Sequence, residues 1–283
     1  MRLFAINIKL SLQRFMQKVQ NFILSFLLIV ALFVGCSDYN KILKGNDYEL
    51  KYKTAVELYK KGDCMKALPL FDELTSMYRF TSKGEEVFYY YAHTSFCVDD
   101  YPVAEYYFKS FVKSYPNSKH AEECAFMAAI CKQRESPYYN LDPTSTKQAI
   151  DELQLFLNKY PESSYKDTCN LLMDKMRDKL EKKYYEQAKL YYNTENYKSA
   201  AVAFENLVKD YPDNEYVEES YYYIVKANYW YAFNSIDSKK SERYSETIKS
   251  YLTFVGYFKN SKYLRELENL YNNSLEQIEK LSK

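Results

Sequence analysis

"MKALPLFDELTSMY", residues 65–78, carries four residues that return down the chain: Ala67, then Phe71, Leu74 and Tyr78 at offsets of 4, 7 and 11. Those offsets keep to one face of an α-helix, because 3.6 residues complete a turn. The same steps lead from Ala104 to Phe108, Phe111 and Tyr115, and from Ala149 to Leu153, Phe156 and Tyr160. They lead again from Ala200 to Phe204, Leu207 and Tyr211, and from Thr247 to Tyr251, Phe254 and Phe258. Five copies of one apolar stripe make an internal repeat, and a repeat sets the fold before any single segment does.

Each copy also stops alike. "YPNSKH" begins at Tyr115, "YPESSY" at Tyr160 and "YPDNEY" at Tyr211, with "YRFTSK" at Tyr78 and "FKNSKY" at Phe258 as looser versions. Proline lacks a backbone donor and turns the residue before it away from helical geometry, so Tyr-Pro ends a helix. The polar residues that follow can cap the next one. Twelve residues ahead of Ala67, Ala104 and Ala200 stand Ala55, Ala92 and Ala188. Small residues at both places let two antiparallel helices approach across the short turns "KKGDC", "VDDYP" and "NTENY". Copies three and five have longer connections, "QRESPYYNLDPTST" and "FNSIDSKKSER", expected to be exposed loops.

An alanine, another twelve later, an aromatic four beyond it and a proline twelve beyond it resemble the tetratricopeptide (TPR) repeat. Arg79 stands where that family has proline. The expectation is an all-α, TPR-like α-solenoid of five helix pairs from about Tyr48 to Phe258. "SKYLRELENLYNNSLEQIEKL" closes it, its polar outer face ending the stack in water. Residues 48–140 would form the N-terminal repeats and 141–283 the C-terminal repeats and capping helix.

The leading segment has another character. Arg2, Lys9, Arg14 and Lys18 precede an apolar run from Phe22 to Val34, shorter than the roughly 20 residues that span a bilayer. A basic region, a short apolar core and small residues are the layout of an export signal. Val34-Gly35 followed at once by Cys36 resembles a bacterial lipobox, which implies a signal peptide over 1–35 and an acylated Cys36. Residues 36–47 would then be a lipidated linker. Met1 and Met16 both stand open as the start of translation.

The whole chain has 39 Lys+Arg against 38 Asp+Glu. Removing residues 1–35 takes four cations, leaving 35 against 38, about −3, which gives no footing for nucleic acid. With 33 Tyr but only 5 Gly and 7 Pro, helices are favoured throughout. Of six cysteines, Cys64, Cys97, Cys124, Cys131 and Cys169 follow Cys36. The count is odd and the spacings show no framework, so buried free thiols are expected. No CxxC or His-rich cluster suggests a metal, and no cofactor motif is present. His93 and His120 fall on different helices, His93 without an acid or nucleophile at helical spacing and His120 at a helix start after "YPNSK", and neither GxSxG nor HExxH occurs. Glu85-Glu86, Glu122-Glu123 and Glu218-Glu219 begin helices, where negative charge complements the dipole. An enzyme is not expected.

A binding surface is. One residue round from the first-helix alanines runs a second stripe: Tyr52, Val56 and Tyr59; Tyr89, His93 and Phe96; Tyr185, Lys189 and Tyr192. In TPR folds this stripe lines the concave face, and its aromatics would suit a peptide. Packing between repeats is the competing role for the same rings.

"AVELYKKGDCMKALPLFDELTSMYRF", "EEVFYYYAHTSF" and "AEYYFKSFVKSYPNSKHAEECAFMAAI" resemble the BamD family of lipoproteins. Tyr78 and Phe80 ending copy one, the long loop of copy three and "DYPDNEY" add to the match. The resemblance implies a non-enzymatic scaffold of the outer-membrane β-barrel assembly machinery, lipid-anchored at the periplasmic face. Its C-terminal repeats would dock the periplasmic domains of the barrel-forming subunit, and its N-terminal repeats would receive the terminal strand of unfolded clients. A periplasmic TPR adaptor coordinating cell-envelope or division proteins is the alternative.

Overall fold

The computed structural model describes residues 38–79 and 81–283, so the signal segment, Cys36 and Phe80 lie outside the described residues. The chain divides into two compact units, one ending at Ala128 and the other beginning at Ala129. Among the described residues the structure is all-α, with helices and no strands. The expected TPR-like helix pairs are there.

The first unit opens with a helical segment at 38–44, followed by α1 (Tyr48–Lys60) and α2 (Cys64–Tyr78), then α3 (Gly84–Cys97) and α4 (Tyr101–Ser114). The unit boundary falls within α5 (Ala121–Arg134). The second unit continues with α6 (Thr144–Lys159), α7 (Lys166–Asn193), α8 (Tyr197–Asp210), α9 (Val217–Phe233), α10 (Asp237–Tyr257) and α11 (Leu264–Leu281). Both members of each alanine pair are fully buried, Ala55 with Ala67, Ala92 with Ala104 and Ala188 with Ala200. So are the stripe residues Phe71, Leu74, Phe108, Phe111, Leu153, Phe204 and Phe254.

The short turns within pairs share one geometry. Asp63 N donates to Leu58 O, Asp100 N to Ser95 O and Asn196 N to Tyr191 O, each crossing a residue of positive φ. That residue is Gly62 (φ 79°), Asp99 (61°) or Glu195 (62°). The left-handed region suits glycine and costs other L-residues about 1–2 kcal/mol. Two of the three turns bear that cost.

The turns between pairs are equally regular. Ser118, Ser163, Asn214 and Ser261 each sit three residues after the aromatic that ends the helix, and each returns its amide to that aromatic's carbonyl. Their side chains then accept from the amides of His120, Tyr165, Tyr216 and Tyr263. Tyr115, Tyr160, Tyr211 and Phe258 share φ of −124 to −135° and ψ of 59 to 72°. Phe258 does so without a following proline, so proline enforces this conformation and does not create it. Copy one differs, for Arg79 remains helical. Gly84 lies so close that a Cβ there would fall 2.4 Å from Tyr78 O.

Two expectations need correction. Cys64 opens α2 and Cys97 closes α3, and the neighbouring pairs bring their Cα atoms to 6.1 Å in a disulfide. Spacing along a helix is silent about such a meeting between hairpins. Cys124, Cys131 and Cys169 are buried thiols outside the disulfide, as expected. The copy-five connection shrinks to residues 234–236, because the rest of "FNSIDSKKSER" is helical. There Lys240 pairs with Asp237 at 2.9 Å, and Tyr244, 1% exposed, packs beside Tyr229 and Ala232. The first helix of copy four is also far longer than its counterparts, at 28 residues. The copy-three connection does run as a loop, over 135–143.

The last helix, α11, buries Leu267 against Tyr222, Val225 and Phe254 and turns mostly polar residues outward, as a closing helix must.

Candidate functional site

The second stripe is placed by the same helical register that buries the alanines. In the first unit, Tyr52, Tyr59, Tyr89 and Phe96 are half-buried, and His93 is 9% exposed. In the second, Tyr192 is half-buried and Tyr185 is 3% exposed. None of these rings stands free. Tyr59 meets Tyr90 edge-on at 5.5 Å, Phe96 meets Tyr101 at 5.4 Å and Tyr192 meets Tyr223 at 4.9 Å. Tyr185 stacks on Tyr216 at 4.2 Å.

The hydroxyls show a pattern that sequence reading passed over. Tyr89 donates to Glu123 at 3.0 Å, and the Tyr52 and Tyr185 hydroxyls feel Glu86 and Glu219 in the same way, the carboxylate always 34 residues further on. Tyr222 donates to Glu266 at 2.9 Å, 44 residues on, its spacing lengthened by the longer α10. The acceptors among residues 86, 123 and 219 are the second members of the glutamate pairs read as dipole partners. They link α1 to α3, α3 to α5 and α7 to α9. Burial first, then the facing carboxylate, raises the Tyr52 and Tyr185 hydroxyls well above the ordinary phenol range. These phenols stay protonated and donate.

Four residues beyond each tyrosine the two units diverge. In the second unit the position holds a cation. Lys189 reaches Tyr185 Oη at 3.2 Å and Glu219 at 3.9 Å, and Lys226 reaches Tyr222 Oη at 2.8 Å and Glu266 at 2.9 Å. Lys226 also lies 5.8 Å over the Tyr192 ring. In the first unit the position is Val56 or His93.

His93 has lost the lysine's role. Its Nε2 is 3.6 Å from Glu123 Oε1 and has no hydrogen-bond partner. Burial drives its pKa down to about 4, against the pull of Glu123 and with the push of His120. Both histidines of the chain meet here, for His120 Nδ1 lies 3.5 Å from Glu123 Oε2 and its ring 4.3 Å from Tyr89. Phe108 closes the other side of His93 at 4.9 Å. A carboxylate ringed by aromatics, with a neutral imidazole beside it, is an acceptor for N–H groups in an apolar setting. It is no nucleophile–base pair. The neighbouring Cys124 thiol is held protonated, pushed up to about 12 by burial and then by Glu123.

The 34-residue step from Tyr to Glu was readable in the sequence. The meeting of His93 and His120 was not, because it depends on how α3 and α5 pack. Among the described residues no group of His, Cys, Asp and Glu could hold a metal, and no helix is long and apolar enough to cross a membrane.

Paired helices, alanine contacts and recurring turns define a protein of the tetratricopeptide-like class. More narrowly, the chain belongs to the YfiO family, described as outer membrane lipoproteins, whose model matches residues 45–244. It is 21% identical to the outer membrane protein assembly factor BamD of Caulobacter vibrioides over 204 residues, 71% of this chain and 67% of that protein. It is 22% identical to BamD of Vibrio cholerae over 207 residues, 70% of this chain and 86% of that protein. Among solved structures it is similar to the TPR2AB domain of yeast Sti1 in complex with pHSP90 (TM-score 0.40, 12% identity, 80% of this chain and 98% of that one).

Proposed function

We propose that this chain is a lipid-anchored, non-enzymatic scaffold for assembling β-barrel proteins, held at the periplasmic face of the outer membrane through acylated Cys36. Its first unit receives an extended segment of an unfolded client, and its later repeats dock the periplasmic domains of the barrel-forming subunit. Membership of the outer membrane lipoprotein family and the naming of two relatives as assembly factors support the setting.

The observation that carries the peptide role is the difference between the units. In the second, lysines neutralise the glutamates. In the first, Glu123 keeps 34% of its side chain exposed between Tyr89 and two histidines, one of them neutral. A terminal β-strand offers such a surface backbone N–H donors and aromatic side chains on alternate faces. Rigid tyrosine and phenylalanine rings supply contact area at small entropic cost.

The test is a binding titration with a labelled peptide copying the C-terminal strand of a client. Changing Tyr52, Tyr89 and Phe96 together to Ala is expected to weaken binding tenfold or more with helix content unchanged by circular dichroism. Should that variant unfold, Glu123→Gln, which keeps size and shape, takes its place. Unchanged affinity in a folded variant defeats the proposal. Gentle detergent extraction and affinity purification address the adaptor alternative: a stoichiometric barrel partner supports the scaffold, whereas peptidoglycan or division proteins support the adaptor.

A further inference from the structure

The stretch expected to be a linker contains a docked helix. Residues 38–44 are helical, and Tyr39, Ile42 and Leu43 pack on the core of the first pair, beside Ala55, Ala67 and Leu70. Tyr39 Oη donates to Lys66 O at 3.0 Å, 27 residues away at the start of α2. Burial, then Asp63, raises that hydroxyl above its ordinary value, so it remains a donor.

Chain length turns this into a statement about the membrane. A fully extended chain spans at most about 3.6 Å per residue. Were residues 36–47 a free leash, the first pair could stand about 40 Å from the acyl group. Because the docked helix already includes Asp38, only Ser37 lies between it and Cys36, and the leash is no more than about 7 Å. Acyl chains lie in the hydrocarbon, so Asp38 must lie at the headgroups, and what Asp38 is packed on comes with it.

We propose that the α1–α2 turn end of the first pair is a membrane-contact surface, seated in the headgroup layer beside the lipidated cysteine. Rigid docking, and not a flexible tether, holds it there. The composition of this end fits. Met65 is 75% exposed at the first turn of α2, beside Lys60 and Lys61 in the turn. Lys41, Lys60, Lys61 and Lys66 belong to this end, against three acids, Asp38, Glu57 and Asp63, that pair with Lys41, Lys61 and Lys66. Apolar tips among lysines suit the interface with an anionic leaflet. The proposal rests on acylation of Cys36, as does the function above.

The experiment uses the mature acylated protein on vesicles of phosphatidylethanolamine and phosphatidylglycerol carrying a headgroup spin-label quencher. A fluorophore is placed through Met65→Cys or, on the same helix about 16 Å along its axis, through Ser76→Cys. Quenching at 65 is expected to exceed that at 76 at least threefold. Combined Ile42→Asp and Leu43→Asp, which undock the segment, are expected to bring the two positions level while the protein still floats with the vesicles. A protein that floats with both positions equally quenched or unquenched overturns the membrane contact alone. Persistent quenching at 65 after undocking overturns the rigid seat. A wild-type protein that does not float overturns the anchor, and this proposal with it.

Discussion

His93 makes the acid sensitivity of the first unit calculable. Its imidazole is 9% exposed, set between Tyr89 at 4.3 Å and Phe108 at 4.9 Å, with Glu123 and His120 as its charged or titratable company. The unfolded chain takes up the proton near pH 6.5, whereas the folded chain refuses it until about pH 4. Between those values the unfolded state binds more protons, so stability falls as pH falls and is fully present above 6.5. At about 1.4 kcal/mol per pH unit the gap amounts to about 3 kcal/mol. Denaturant unfolding at pH 7 and pH 4, compared between wild type and His93→Gln, isolates it, since other acid-sensitive carboxylates contribute to both. The wild type is expected to lose about 3 kcal/mol more than the variant across that range. Imidazole resonances followed by NMR give the pKa directly. A His93 titration near 6.5, or parallel pH profiles for the two proteins, refutes the reasoning.

The within-pair turns give a signed test. Asp99→Gly and Glu195→Gly, each relieving a residue at φ near 60°, are expected to stabilise by about 0.5–1 kcal/mol in thermal melts, while Gly62→Ala costs about 1 kcal/mol. The disulfide gives another: Cys64→Ser with Cys97→Ser opens a loop of sequence separation 33 and is expected to cost the first unit about 3–4 kcal/mol by chain entropy, read by denaturant unfolding.

Much of the fold was legible because periodicity records burial. Ala67, Phe71 and Leu74 had to face one way, and the fivefold recurrence of that stripe required a partner helix for each copy. The Tyr-Pro endings marked three helix ends well, since proline acts through local sterics that need no knowledge of the fold. What escaped depends on distant contact. Cys64 and Cys97 meet only once two hairpins are stacked. "FNSIDSKKSER" looked loop-like by composition, yet the following Tyr244 has a core to enter and draws most of the segment into α10. In the site, the tyrosine stripe was visible, but the carboxylates facing its hydroxyls lie 34 residues on. That long-range step was present in the sequence without any local period to announce it.

The length of α7 has a mechanical consequence. Its 28 residues make a rod of about 42 Å. Cys169, Met173, Met176 and Leu180 are buried along its leading half, Tyr185 and Ala188 along its trailing half, and α6 and α8 both lean on it. One unbroken helix joins those neighbours, so a displacement of either one acts on the other through a single element.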